Sequence, residues 1–253
     1  MKLVDAFLFY NELDMLEYRL TVLDPVVDWF VLVESTVTFA GNPKALVYAE
    51  NADRFAQWKD KIVHVVVSDT PDSPSAWDRE RFQRNAIDRG LQTLGLKSAD
   101  ILHLADVDEI PNLQILSMLK KEGLEEAMSM EMDLYYYTAE LKLRKWLHAK
   151  VCPIETYVHQ FGRNPERLRM SRQRPIANGG WHLSYFGSPE FVQNKLRNFS
   201  HQEYSARASL EFVTDRIAKR KNLFDNLVFS KTPLSCNPFP PPRLDLLLKF
   251  FPV

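Results

Sequence analysis

Ile101-Leu102-His103-Leu104-Ala105-Asp106-Val107-Asp108-Glu109-Ile110-Pro111 passes within a few residues from an aliphatic run to a cluster of acids closed by proline. The run from Ile101 to Leu104 is too short for a helix and has the composition of a strand buried on both faces. Three earlier runs share that form: Leu3 to Tyr10, Val26 to Val33 and Ile62 to Val67. Each stops abruptly at polar residues. The stops are Asn11-Glu12, Glu34-Ser35 and Ser68-Asp69, then Asp106 with Asp108.

Helical patterns lie between the runs. Leu13, Leu16, Leu20 and Leu23 recur at helical spacing, and Phe55 and Trp58 share one side of Arg54 to Lys61. Ser75, with Asp78 three residues on, predicts a capped helix to about Leu94, its apolar stripe formed by Phe82, Ala86, Ile87 and Leu91. Short buried strands alternating with helices predict an α/β fold with parallel connections. In open sheets of this kind ligands bind beyond the carboxyl ends of the strands, where all four polar stops fall. A polar cleft is therefore expected there.

The second half is less regular. Met128 to Tyr137 reads as a tyrosine-rich strand, Lys142 to Tyr157 as mixed, and Arg163 to Arg174 as a polar, arginine-dense loop. After Gly179 to Phe186, Ser188-Pro189-Glu190 supplies an N-cap, a first-turn proline and a first-turn acid, predicting a helix to about Phe199. Another helix is expected from about Ser209 to Asn222, with Lys219, Arg220 and Lys221 at its C-terminal end. A proline-rich tail follows. The division expected is a catalytic domain over 1–204 and a C-terminal helix and tail over 205–253, packed on it or trailing it.

Composition narrows the function classes. A formal charge of −1 over 253 residues gives no positive field for nucleic acid, and 45% hydrophobic content suits a soluble globular domain. The first ten residues are apolar but carry Asp5 and run into Asn11-Glu12, so they read as a buried strand rather than a leader or membrane span. The segment from Leu244 is too short to span a membrane, which leaves only peripheral contact open there. Cys152 and Cys236 lack metal-ligand spacing and point to a reducing compartment or neutral thiols.

Asp106 and Asp108 carry the chemistry. In extended chain, residues i and i+2 point to the same side, so two carboxylates converge on one hard divalent cation, which grips diphosphate oxygens. A sugar nucleotide requires such neutralisation as its diphosphate leaves. An isolated Asp-x-Asp pair arises often by chance as a solvated turn. Its position after a buried strand, among other polar strand ends, sets this one apart.

Several ordered blocks resemble glycosyltransferase family 17, a family of N-acetylglucosaminyltransferase type. They are Phe9-Tyr10-Asn11-Glu12-Leu13-Asp14-Met15-Leu16-Glu17-Tyr18-Arg19-Leu20, Phe30-Val31-Leu32-Val33-Glu34-Ser35, Thr38-Phe39-Ala40-Gly41, Asp106 to Pro111, and Gly180-Trp181-His182. The resemblance spans roughly residues 3 to 204. It implies a single-domain GT-A type α/β fold with a Rossmann-like, mostly parallel sheet flanked by helices. It also implies a UDP-sugar donor, manganese or magnesium, a glycan acceptor and inversion at the anomeric carbon. The family's vertebrate enzyme has a Golgi anchor, whereas this chain begins at the catalytic domain, and Ser184-Tyr185 stands where that enzyme has a cysteine-containing stretch. A cytoplasmic enzyme of bacterial or viral type, building a surface glycan, is the expectation.

Candidate residues follow. Asp106 and Asp108 are expected to bind metal and diphosphate, with Asp108 the direct ligand; Glu109 assists or caps the next helix. Asn11, Glu34 and Ser35 are placed at the uridine, or serve as loop caps. Arg79 and Arg84 are candidates for the diphosphate, although Glu80 to Arg84 and Arg84 to Asp88 also form a surface i to i+4 pattern. His201 and His182 are candidate metal ligands because neutral imidazole suits that task. An inverting transfer needs a carboxylate base, for which Glu190 is the first candidate and Glu203 its rival. Trp181 is the aromatic expected to stack on a sugar.

Two other classes compete. A nucleotidyltransferase would carry a glycine-rich basic loop after the first strand, where Asn11-Glu12-Leu13-Asp14 stands. A non-catalytic glycan- or nucleotide-sugar-binding module would keep the carboxylates and lose the base.

Overall fold

A computed structural model describes residues 1–252. Its N-terminal half runs β1 (Leu3–Phe9), α1 (Leu13–Leu23), β2 (Trp29–Ser35), α2 (Val47–Glu50), β3 (Ile62–Val67), α3 (Ala76–Asn85), α4 (Ile87–Leu91) and β4 (Ile101–Asp106). The remainder runs β5 (Glu109–Pro111), α5 (Leu113–Glu122), β6 (Met128–Tyr136), β7 (Lys142–Trp146), β8 (Lys150–Pro153), α6 (Ile154–His159), α7 (Pro165–Met170), β9 (Pro175–Ser184), α8 (Pro189–Asn198), α9 (Leu210–Ala218) and α10 (Leu244–Phe250).

One nine-stranded sheet organises all of it, in the order β3-β2-β1-β4-β8-β6-β9-β5, with β7 paired to β6. The pairs β1–β2, β1–β4 and β2–β3 are parallel, as the four buried runs predict. Every residue of β1 is buried, and its side chains alternate between two cores. Leu3, Phe7 and Phe9 pack with Leu16, Leu20 and Leu23 of α1, while Val4, Ala6 and Leu8 pack in the cluster that holds Ile87 and Leu91 of α4. Helices on both faces explain why these strands read as continuous apolar runs rather than alternating ones.

Antiparallel pairing enters beyond β4, where β8 joins it and β5 pairs with β9. The β5–β9 pair sets Glu109 opposite His182 and Ile110 opposite Trp181. Gly180 makes that register feasible. A Cβ there would lie 2.2 Å from the carbonyl oxygen of Ile110, and its φ of 151° suits glycine.

Local differences from the sequence reading have physical causes. The helix expected from Ser75 to Leu94 is two helices, broken after Asn85, and Ser75 makes no side-chain cap; Ser73 bonds Asp78 instead. The arginine-dense loop contains α7, capped by Asn164, which accepts from the backbone of Arg167, with Pro165 in its first turn. The tail packs on the domain. Tyr18 donates to the carbonyl of Pro242 at 2.5 Å, and Trp181 donates to the carbonyl of Phe239 at 3.1 Å.

Candidate active site

A cleft of about 630 Å³ opens at the carboxyl ends of β1, β2 and β4. Tyr10, Thr38 and Phe39 line one end, Asp106 and Asp108 its floor, and Trp146, His182 and Tyr136 the side built by the antiparallel strands. Of the four polar strand ends, Glu12 after β1 and Asp106 with Asp108 at β4 line the cleft, whereas Glu34, Ser35, Ser68 and Asp69 are not among its lining residues.

Asp106 ends β4. Its two carboxylate oxygens meet Arg84 at 2.7 Å and Arg169 at 2.6 Å, and it keeps a third of its side-chain surface open to the cleft. Arg84 also pairs with Glu80 at 2.6 Å and Glu166 at 3.0 Å. Burial raises the Asp106 pKa, but Arg169 and then Arg84 outweigh it and hold the carboxyl below its ordinary range.

Asp108 is buried one step farther along. Lys195 of α8 lies 3.0 Å from one oxygen and His182 Nε2 lies 3.5 Å from the other. Burial works against the carboxylate, yet Lys195 and His182 depress its pKa strongly. Lys195 also reaches Glu12 at 3.4 Å and sits 5.7 Å from the centre of the Tyr185 ring. His182 is packed against Trp146, and its Nδ1 is buried without a partner.

Glu109 points the other way, into the protein. It takes two contacts from Arg169 at 2.9 Å, accepts from the Asp106 backbone N–H at 2.8 Å, and is bonded by the Trp146 indole. It therefore holds the turn rather than facing the cleft. Beneath the turn lies Arg19, fully buried on α1. Its Nη1 donates to the carbonyls of Asp106, Val107 and Glu109 at 3.1, 3.2 and 2.7 Å. Its Nε and Nη2 grip Asp5 at 2.8 and 2.6 Å, and Asp5 in turn contacts His103 Nδ1 at 2.7 Å. The acidic turn is clamped from below by one guanidinium.

The other sequence candidates scatter. His201 lines the cleft but pairs with Glu203 at 2.7 Å and packs on Trp77; the imidazole brought to Asp108 is His182. Glu203 is exposed, and Glu190 is fully exposed in the first turn of α8, outside the residues that line the cleft. Glu34 is buried against Lys44, His64 and the Tyr48 backbone, and Ser35 bonds Thr70. Asn11 bonds Asn194, and Arg79 ties the Phe39 carbonyl to that of Ser73. Trp181 is stacked on Phe239 with its ring in the core, because β9 turns it away from the cleft. Arg169 and Lys195 were not singled out from sequence as functional residues. The Asn164-Pro165-Glu166 pattern, the same cap, proline and acid as at Ser188, signals the helix that carries Arg169.

The family implies a divalent cation, and the donor set tests whether one fits. Among the described residues no group of three or more His, Cys, Asp or Glu side chains is arranged to hold an ion alone. Asp108 and His182 do supply an oxygen and a nitrogen donor side by side. The cleft around them is lined by five carboxylates, Glu12, Glu80, Asp106, Asp108 and Asp225, and by five cations, Lys44, Arg84, Arg144, Arg169 and Lys195. The residues fit an ion that takes few protein donors and the rest of its shell from a ligand.

The family model described as glycosyltransferase family 17 matches residues 1–231. The chain belongs to that family. Rat and human beta-1,4-mannosyl-glycoprotein 4-beta-N-acetylglucosaminyltransferases are each 25% identical to it over 226 residues, covering 77% of this chain and 42% of theirs. The chain thus spans under half the length of these relatives. Among solved structures, S. aureus TarS 1–349 aligns with a TM-score of 0.43 at 11% identity, over 87% of this chain and 71% of that one. A putative glucose-1-phosphate thymidylyltransferase from Bacillus anthracis aligns at 0.36 and 8%, over 82% and 95%. No helix among the described residues is long and apolar enough to cross a membrane.

Proposed function

We propose that this chain is an inverting, metal-dependent glycosyltransferase that moves a sugar from a UDP-sugar to a glycan acceptor. The relatives' names make N-acetylglucosamine the first sugar to test. The observation that carries the reading is the acidic turn Asp106-Val107-Asp108, clamped by Arg19 and set at the floor of the cleft.

Asp108 and His182 would hold manganese or magnesium, with Asp106 beside them. The ion supplies charge neutralisation for the departing diphosphate. Arg84 and Lys195, already at the cleft, add fixed positive charge where phosphate oxygens come to rest, and a guanidinium is suited to them. Tyr10, Thr38 and Phe39, beyond β1 and β2, form the end suited to the nucleoside, with an aromatic face for the base. Trp146, held by Glu109 and packed on His182, borders the opposite end, where a sugar acceptor would enter.

The test is UDP release from a panel of UDP-sugars with manganese, with and without candidate acceptors. Turnover with one donor, abolished by chelator and by Asp108→Ala, supports the reading. Tight glycan binding without turnover of any donor would instead identify a binding module.

A further inference from the structure

An inverting transfer needs a base on the acceptor side, and neither carboxylate named from sequence faces the cleft as a free group. Five carboxylates do line it: Glu12, Glu80, Asp106, Asp108 and Asp225. The first four are in ion pairs, with Lys195, Arg84, Arg84 and Arg169, and Lys195 and His182 respectively. A carboxylate tied to a cation has its oxygens occupied. Among the described residues Asp225 is the one cleft carboxylate with no ion pair.

We propose that Asp225 is the general base of the transfer, which rests on the glycosyltransferase reading above. Its placement is built rather than incidental. Residues 221–228 form a tight loop after α9, closed by the Lys221–Val228 bridge and by the Asn222 N–H donating to the Leu227 carbonyl at 2.9 Å. Within it the Asp225 carboxylate is aimed by two donors, Asn222 Nδ2 at 2.9 Å and the Leu227 backbone N–H at 2.7 Å. Each oxygen receives one hydrogen bond and keeps a lone pair for a third party.

The loop is docked on the site by aromatic contacts. Phe224 packs 6.0 Å from Tyr185, whose ring lies under Lys195, which in turn pairs with Asp108. Phe229 packs 4.9 Å from Tyr136, and the Tyr137 hydroxyl donates to the Lys221 carbonyl at 2.8 Å. Arg216 is spent on the backbone carbonyl of Asp225 at 2.9 Å rather than on its carboxylate.

In the reaction the acceptor hydroxyl oxygen forms a bond to the anomeric carbon as the bond from that carbon to the diphosphate oxygen breaks. The electron pair leaves with the diphosphate. The hydroxyl proton passes to an Asp225 oxygen and is later released to water.

The test compares wild type, Asp225→Asn and Asp225→Ala in transfer from the donor that wild type turns over. Asparagine retains an acceptor for the Leu227 N–H but not the basicity. Its kcat should fall about 10²- to 10⁴-fold, with the acid limb of the pH profile lost and the thermal shift given by UDP with manganese retained. Formate should restore part of the activity of Asp225→Ala, which a merely structural loop residue would not allow. Transfer by Asp225→Asn at the wild-type rate overturns the proposal. So does a loss of activity that tracks a lower melting temperature and is not rescued by formate. Wild type that turns over no donor refutes the glycosyltransferase reading itself, a different failure.

Discussion

Replacing Arg19 by methionine removes the clamp under the acidic turn. Arg19 and Asp5 are both fully buried, so the substitution leaves an uncompensated carboxylate whose remaining contact is His103. It also frees the carbonyls of Asp106, Val107 and Glu109. Removing one member of a buried ion pair costs about 3–5 kcal/mol. For a domain of this size each kcal/mol lowers the melting temperature by roughly 2–4 °C, so a fall on the order of 6–20 °C is expected. The informative partner is the double variant Asp5→Leu/Arg19→Met. Removing both charges should recover the part of the loss due to the uncompensated Asp5 carboxylate, but not the part due to the three freed carbonyls and His103. It should not recover turnover, because nothing then fixes the three carbonyls of the turn. Thermal denaturation beside UDP release reads both effects. Recovery of full turnover with stability in the double variant would refute the positioning role of Arg19.

Gly180→Ala should weaken the β5–β9 pair, because the new methyl meets the Ile110 carbonyl; a loss of about 2 kcal/mol or more in urea denaturation is expected, and an unchanged midpoint would count against that register. Lys150, buried and facing Arg169, has its pKa brought down to about 8. The folded state then gives up this proton before the unfolded chain does, so the charged amine's penalty is full below pH 8 and fades toward about 10.4. The melting temperature of Lys150→Met minus that of wild type should therefore decrease from pH 8 to 10, and a constant difference would be inconsistent with that burial. Glu190→Ala should leave kcat/KM unchanged, since the side chain is fully exposed and outside the cleft lining; a large loss would return Glu190 to the reaction.

The parallel half of the fold was legible because β1, β2 and β4 are buried on both faces, so composition alone marks them, and the polar ends of β1 and β4 mark the cleft. Asp106 and Asp108 followed from that. The antiparallel half was less legible, since β7 is half exposed and β8 short, leaving weak periodicity. Arg169 was hidden in what read as a loop, and Lys195 in an ordinary amphipathic helix; both matter through partners distant in sequence. The choice between His182 and His201 depended on the β5–β9 register, which sets His182 beside Asp108. Trp181, one residue away, faces the core because neighbouring strand residues point to opposite sides.

The most direct measurement is a calorimetric titration of UDP into wild type and Asp108→Asn, each with and without manganese. Binding by wild type that strengthens at least tenfold with the metal, and loses that gain in Asp108→Asn, is the expected result. Equal affinity in all four titrations, or no affinity for UDP in any, would contradict a nucleotide-sugar site built on the Asp106–Asp108 turn.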